Sequence, residues 1–499
     1  MSEEQRNTFT NENPAHRPLF GRRQIFTTYR SEDINAENVL DIVNNAMILH
    51  VANYMDEEYL YWYRRGVQPI LMRKKEIRPE ICNKVVTNTA DQICTFKNGF
   101  FLQKPIAYVS RRDDESVTDR VRQYNEYLLL GGNNIANNEV VNWFDTAGIG
   151  VKYVEADYED EASPLKIWSL DPRTAFVVYS SRPGREPTIG VNLVIENGVA
   201  IYDVFTKSRI FHLKGGFVSG FQGTYLVDVV TTATELISEE PNIIGRVPMV
   251  EYFYNENRMS CFENAIDLMD AYNTAESNRL DGIEQTIQQL CVAYNCQFEE
   301  GTTANQIREA GMIVLKSTSE NKADFKILSE ALDQNATQTT IKNIYEQILL
   351  KCSMPSTLKG GTSTSDTGTA VYLRDGYQIA DVAARNTTDL FEKSEAYFNK
   401  ICLAILKIRN GFELSPADFT MRMERNSAEN MLGKTQVALN LKSLGFSPAL
   451  AFERSGISSD ALNDVEISKD YIEGVWTNPA ETIETPTEEA VAPQESKAE

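Results

Sequence analysis

The chain has 499 residues, 42% of them apolar and 24% charged, with a formal net charge of −22. That length exceeds one ordinary core and that composition can bury enough surface to fold, so a single small domain and wholesale disorder are both excluded. The acidic balance also excludes a monomer built to grip phosphates, which needs clustered Lys and Arg.

Residues 1–37 are polar, carry Arg6, Arg17, Arg22, Arg23 and Arg30, and show little apolar periodicity. They read either as an arm that orders against a partner or as a frayed terminus. From Glu37, the spacing of Val39, Leu40, Ile42, Val43, Ala46, Met47 and Leu49 predicts an amphipathic helix, and a second helix is predicted from Glu80 to Phe96. Beyond Gly148 the texture changes to short β-branched and aromatic runs at 150–154, 175–179, 190–195, 200–205 and 209–213, separated by turn residues. This sheet module closes with Ile244 to Tyr252, a strand whose Pro248 restricts it to an edge or a strand start.

From about Ser260 the apolar period becomes helical, with Phe262, Ile266, Met269, Tyr272, Leu280, Ile283, Ile287 and Leu290 on one stripe. About 30 residues at a rise of ~1.5 Å predict a rod of roughly 45 Å. A small mixed segment follows, with strand-like 312–316 and 325–328, and a second helix runs back over 335–351. Next comes Met354-Pro355 and a Gly/Ser/Thr-rich loop to Thr369, a composition with many accessible backbone states. After the loop an apolar stripe from Val371 to Ile408 predicts a very long helix, with a kink expected at Asn386-Thr387-Thr388. Phe419 to Arg425 reads as a strand, Asn426 and Glu429 stand at capping-box spacing, and helices follow over 437–444 and 448–454. Residues 478–499, rich in Glu, Pro and Thr, read as a disordered acidic tail.

Catalytic and metal motifs are weak throughout. Gly433-Lys434-Thr435 has the end of a phosphate-binding loop, but Ala428 stands where the first glycine is required. Asp157, Glu159, Asp160 and Glu161 match no calcium-loop spacing and read as a solvated turn. The three histidines, His16, His50 and His212, lie far apart with no ligand-spaced neighbour, and the seven scattered cysteines read as reduced, packed thiols. No cofactor, metal or catalytic residue is therefore expected. The first twenty residues hold no apolar leader segment, and no uncharged apolar run is long enough to span a membrane.

Three stretches together resemble the portal protein family of tailed double-stranded DNA phages, in particular its SPP1-like branch. The first is the strand-to-helix junction Gly245-Arg246-Val247-Pro248-Met249-Val250-Glu251-Tyr252, leading through Asn255 and Asn257 into Ile266 to Asn273. The second is the order helix, small α/β insert, helix. The third is Met354-Pro355 with the flexible loop and the long helix after it. The resemblance runs from about Glu37 to Ser468.

It implies an α+β, predominantly helical subunit with wing, stem, clip and crown regions that assembles as a ring, normally of twelve copies, at one capsid vertex. The expected parts are an arm (1–37), a wing (38–258), a first stem helix (259–293), a clip (294–334) and a second stem helix (335–353). A tunnel loop (354–369), a long kinked wing helix (370–410), a strand and helical crown (411–477) and the acidic tail (478–499) complete them. The implied function is a non-enzymatic channel for packaging and ejecting double-stranded DNA. Its partners would be the terminase large subunit, scaffold and major capsid protein, and head-completion or adaptor proteins, in the virion and, during assembly, in the host cytoplasm, with no membrane. An acidic chain fits such a conduit, because each phosphate contact adds affinity through counterion release and would hold the duplex in place.

Within the loop, Lys359 is the only cation and Asp366 the only anion. Lys359 is expected to touch phosphates transiently, while Gly360 and Gly361 let the loop shift; the alternative is a solvated linker with an incidental lysine. Lys342 and Lys351, on the second stem helix, are further channel candidates, or members of an ordinary solvated face. Two apolar helices around a compact insert expose more stripe than one hairpin covers, which favours neighbours in a closed ring. The rival readings are a non-conducting virion scaffold or adaptor and, third, a nucleic-acid-processing enzyme, which would need a metal-binding carboxylate set or a true phosphate-binding loop.

Overall fold

The structure is a computed structural model that describes residues 21–76, 78–112, 114–160, 162–197, 199–222, 225–287, 290–294, 324–328, 334–355, 377–423, 431–458, 461–472 and 476. Lys359, Gly360, Gly361, Asp366, the strand expected at 312–316, the capping pair Asn426 and Glu429, and the acidic tail lie outside the described residues.

Helix α1 (Val39–Arg64) works in two halves. Val39, Ile42, Val43, Ala46 and Met47 are buried against a six-stranded sheet, whereas Leu60 and Tyr63 enter a different cluster with Phe262, Met269 and Ile348. The sheet has the order β1 (Ile25–Thr27), β5 (Ala175–Ser180), β6 (Pro187–Glu196), β7 (Val199–Phe205), β8 (Arg209–Gln222) and β9 (Tyr225–Pro241). Every pairing is antiparallel except β1 with β5. Its inner face alternates apolar residues, as in Leu193, Val191 and Ile189, at the period of two that a half-buried strand requires.

A second layer packs α2 (Thr89–Phe101), α3 (Glu115–Leu130), α4 (Asn133–Ala147) and α7 (Tyr377–Asn410) around two small sheets. These are β10 (Met249–Phe253) with β3 (Ile149–Ala156) and β4 (Leu165–Leu170), and β13 (Phe419–Arg422) with β2 (Ala107–Ser110). Strand β10 is an edge, as Pro248 requires. In the centre of this layer Lys152 Nζ lies 2.7 Å from Glu395 Oε1, with both side chains fully buried. Glu395 also accepts from the hydroxyls of Tyr108 and Tyr252, and Lys152 donates to Asn137 Oδ1 at 2.6 Å. Burial lowers the Lys152 pKa, and the Glu395 charge opposes that shift. Helix α7, which runs without interruption through Asn386-Thr387-Thr388, is thereby fixed to the β3 strand.

The remaining elements are the helices α5 (Ile266–Ile287) and α6 (Gln334–Lys351), the hairpin β11 (Leu290–Tyr294) with β12 (Asp324–Leu328), and a C-terminal group α8 (Met431–Ser443), α9 (Pro448–Ser455), α10 (Ala461–Ile467) and α11 (Lys469–Ile472). The fold is thus mixed α+β. Gly433-Lys434-Thr435 sits in the first turn of α8, where Lys434 donates to the carbonyl of Gly456, so this stretch forms helix rather than a phosphate-cradling loop.

Several elements depart from the sequence reading. The first stem helix ends at Ile287, and Leu290, expected on its stripe, belongs to β11. The helix expected over 80–96 occupies Thr89–Phe101, because residues 78–88 are recruited by stem side chains and Asn88 turns left-handed (φ 49°) before the helix starts. Strands β4 and β9 were not anticipated; β9 is an edge strand paired with β8. The N-terminal arm is part of the fold from Gly21 onward: Arg22 is buried, and β1 adds to the sheet beside β5.

Two measurements test this packing. Glu395→Ala leaves a buried cation unpaired and is expected to cost about 3–5 kcal/mol, whereas the pair Lys152→Met with Glu395→Leu regains most of it in denaturant unfolding. His50 is buried, stacked on Phe176 at 4.2 Å, and donates to the carbonyl of Arg173, and burial drops its pKa from 6.5 to about 4. The native state then holds His50 neutral while the unfolded chain takes up a proton, so stability present above pH 6.5 is lost as pH falls toward 4. His50→Gln is expected to remove about 3 kcal/mol of that acid sensitivity in a series of unfolding curves.

Candidate channel-forming stem and the mooring of the loop

Helices α5 and α6 form an antiparallel hairpin. The rings of Tyr272 and Tyr345 stand 5.6 Å apart, and Arg279 Nη1 donates to Gln338 Oε1, so the partners run in opposite directions. Ile266, Met269, Ile348 and Leu349 close its base. Farther along, Leu280 and Ile283 are each 40% exposed, and at the base Leu350 is 59% exposed, so the hairpin keeps apolar surface that no described residue covers.

The other face of α5 is polar and buried. Asn273, Ser277 and Asp281, one helical turn apart, are 0%, 0% and 2% exposed. They bind the extended segment before α2 like rungs. Thr87 N donates to Asn273 Oδ1 at 3.0 Å, Val85 N to Ser277 Oγ at 3.0 Å and Asn83 N to Asp281 Oδ1 at 2.7 Å. Asp281 also takes Lys75 at 2.5 Å and Arg73 at 3.3 Å. Burial pushes the Asp281 carboxyl up, but the Lys75 ammonium and the Asn83 donors outweigh it and hold the pKa below the usual range. Sequence reasoning followed the apolar stripe and missed this one; the four-residue spacing of Asn273, Ser277 and Asp281 was the available signal.

The approach from β10 to α5 is a knot of charges and backbone groups. Glu263 accepts from Ser260 N at 2.8 Å and from Arg22 Nη2 at 2.9 Å, and Arg22 Nη1 reaches the carbonyl of Ala147 at 3.0 Å. Glu251 accepts from Val177 N at 3.0 Å and pairs with Arg258 at 2.7 Å, tying β10 to β5 and to the approach of the stem. Gly148 has φ 90°, and a Cβ there would stand 2.2 Å from the carbonyl of Arg258, so the crossing admits only glycine.

The two ends of the segment 356–376 are moored at one place. Met354 is buried in the cluster of Ile93 and Cys94, against which Phe96 packs, and Tyr377 stands 6.5 Å from the Phe96 ring.

Of the expected site residues, the structure describes Lys342 and Lys351. Nine residues apart on α6, they lie about 180° apart around the helix and do not share a face. Lys351 Nζ donates to the carbonyl of Asn264 at 3.1 Å, tying the end of the hairpin to its beginning. Lys342 is exposed. Asp157, from the acidic turn, pairs with Lys166 at 3.1 Å. Among the described residues no cluster of three or more His, Cys, Asp or Glu could hold a metal ion, and no helix is long and apolar enough to cross a membrane.

The profile of the family described as "Phage portal protein, SPP1 Gp6-like" matches residues 44–451, from within α1 to within α9. The chain belongs to this phage portal family. It is therefore a portal-type subunit of a virion, and members of the family form rings at the capsid vertex that serve as the channel for DNA packaging. The family is structural rather than enzymatic in general. Among solved structures, a chain from the neck of an empty GTA particle computed with C6 symmetry is similar with a TM-score of 0.41 and 11% identity, over 73% of this chain and 89% of that one. A chain from the neck of a native GTA particle computed with C12 symmetry gives 0.39 and 13%, over 73% and 89%. Likenesses at that level carry no argument beyond the family match. No curated protein matches the chain.

The polar ladder makes a prediction for this portal subunit. Asp281→Ala strands two cations and a backbone N–H, and is expected to cost about 2–3 kcal/mol. Amide exchange over residues 73–88 should rise well above that elsewhere in the wing; unchanged protection there would refute the ladder.

Proposed function

We propose that this chain is the repeating subunit of a portal ring of twelve copies, in which the α5–α6 hairpin stands beside the axial channel and the loop 354–369 projects toward passing double-stranded DNA. The observation that supports this reading is that Met354 and Tyr377, which flank the Gly/Ser/Thr-rich segment, both lie by the hydrophobic cluster at the base of the hairpin, Met354 within it and Tyr377 6.5 Å from the ring of Phe96. Lys359 makes transient phosphate contacts, and Gly360 and Gly361 let each loop shift as an asymmetric duplex passes a symmetric ring; Asp366 limits the net attraction. A few weak contacts per subunit suit passage, since many simultaneous ones would hold the duplex. Of the two stem lysines, Lys342 is the freer candidate, because Lys351 is engaged with Asn264.

The uncovered apolar residues of the hairpin and of α7, among them Leu280, Ile283 and Val382, are contacts for ring neighbours. The insert 294–334, at the far end of the hairpin, docks the terminase large subunit and later head-completion proteins. The wing meets scaffold and major capsid protein during assembly in the host cytoplasm.

Electron microscopy of the purified chain, with native mass in parallel, should give closed rings of about a dozen copies with an open axis. Deleting Lys359 to Gly368 should leave those rings intact and reduce packaged DNA by at least about tenfold in an in vitro packaging reaction. Loss of ring assembly in the deletion would refute the division of labour between hairpin and loop. Open filaments or a channel-free oligomer from the intact chain would favour a scaffold.

A further inference from the structure

On the outer face of α7 lies a cleft that the portal reading leaves unused. One part, of about 670 Å³, opens between α7 and the β5–β6 turn; a second, of about 530 Å³, continues toward Arg120 of α3. The two share Arg246 and Lys400, so they form one trough. Along its α7 wall run Lys393, Lys400 and Lys407, seven residues apart and hence on one side of the helix over roughly 21 Å.

The charges lining this trough are unevenly matched. Lys207 pairs with Glu186 at 2.9 Å, Lys407 with Glu413 at 2.8 Å and Arg258 with Glu251 at 2.7 Å. Arg246, Lys393 and Lys400 form no ion pair with a described residue, although the charges of Lys400 and Arg246 help lower the pKa of Glu186 behind its Lys207 partner. Glu256 is the one lining carboxylate outside the pairs. In a chain of net charge −22, three adjacent cations with no ion-pair partner among the described residues suit an anionic occupant.

The sequence supplies one. Residues 477–499 carry Glu481, Glu484, Glu488, Glu489, Glu495 and Glu499 against a single cation, Lys497. The C-terminal group that precedes them packs on the helix that carries Arg120: Asn463 of α10 accepts from Arg122 of α3, and Trp476 is seated edge-on against Phe452 at 5.6 Å. Residues 477–499, at about 3.3 Å each, span far more than the trough's length. Tethering gives such a segment an effective concentration on the order of millimolar, enough to hold a weak electrostatic contact.

We infer that the acidic segment 477–499 docks in the cleft between α7 and the β5–β6 turn, with its glutamates on Arg246, Lys393 and Lys400. The cleft is then occupied by the chain's own segment, and any other polyanion must displace it.

The test uses the full chain and a glutamate-specific protease, with fragments read by mass spectrometry. In the wild type at about 50 mM salt, cleavage at Glu481 to Glu489 should be slower by about fivefold or more than in Lys393→Gln/Lys400→Gln, and the difference should vanish at about 500 mM. Both lysines are exposed, so the fold survives the change, which matching thermal unfolding curves would verify. Equal cleavage rates at low salt would overturn the proposal. It would also be overturned if a short DNA duplex bound the wild type and not the variant while tail cleavage stayed equal, since the cleft would then be a nucleic-acid surface. Because ring assembly and packaging are not read here, the outcome is independent of the channel reading.

Discussion

The buried pair of Lys152 and Glu395 is the constraint on which the rest of the wing depends. Two charges without water are held only where every remaining donor and acceptor is also met, and here two tyrosine hydroxyls and an asparagine amide meet them. Satisfying that set fixes the rotation and the axial position of α7 against β3 together, because a step of one residue along the helix would carry Glu395 about 100° away. Apolar packing around it, from Phe391, Phe398 and Tyr252, supplies the bulk of the burial but tolerates sliding far better. The ion pair therefore sets register, and the aromatic shell supplies stability.

The same separation of roles recurs at each boundary of the molecule. Inside the sheets and bundles the contacts are apolar, whereas the joins between parts are polar and buried: Arg22 with Glu263 at the wing–stem junction, Glu251 with Arg258 between the two sheets, and the rungs from Asn273 to Asp281 along α5. Directional bonds resist shear more than apolar faces do, and a subunit that must hold a stem at a set angle in a ring needs that resistance at its joins.

Much of this was legible in the sequence. The order of helices, sheet module, helical hairpin and long helix follows from apolar periods of 2 and 3.6, and Pro248 correctly marks β10 as an edge. Hidden were the elements whose partners are polar or distant. Residues 78–88 look helical until the rungs of α5 claim their backbone N–H groups. Arg22 resembles any other arginine of a polar arm; only the fold brings Glu263 to it from over two hundred positions away. Lys342 and Lys351 were grouped by proximity along the chain, and helical geometry separates them to opposite sides.

The shared mooring of Met354 and Tyr377 has an evolutionary consequence. A segment whose endpoints are already held together adds little entropy cost as it grows, about 0.6 kcal/mol for each doubling of length. Residues can thus be inserted or lost between these anchors while the frame around Phe96 stays the same. The length of chain between the anchors can therefore differ between lineages without any rebuilding of the body that holds them.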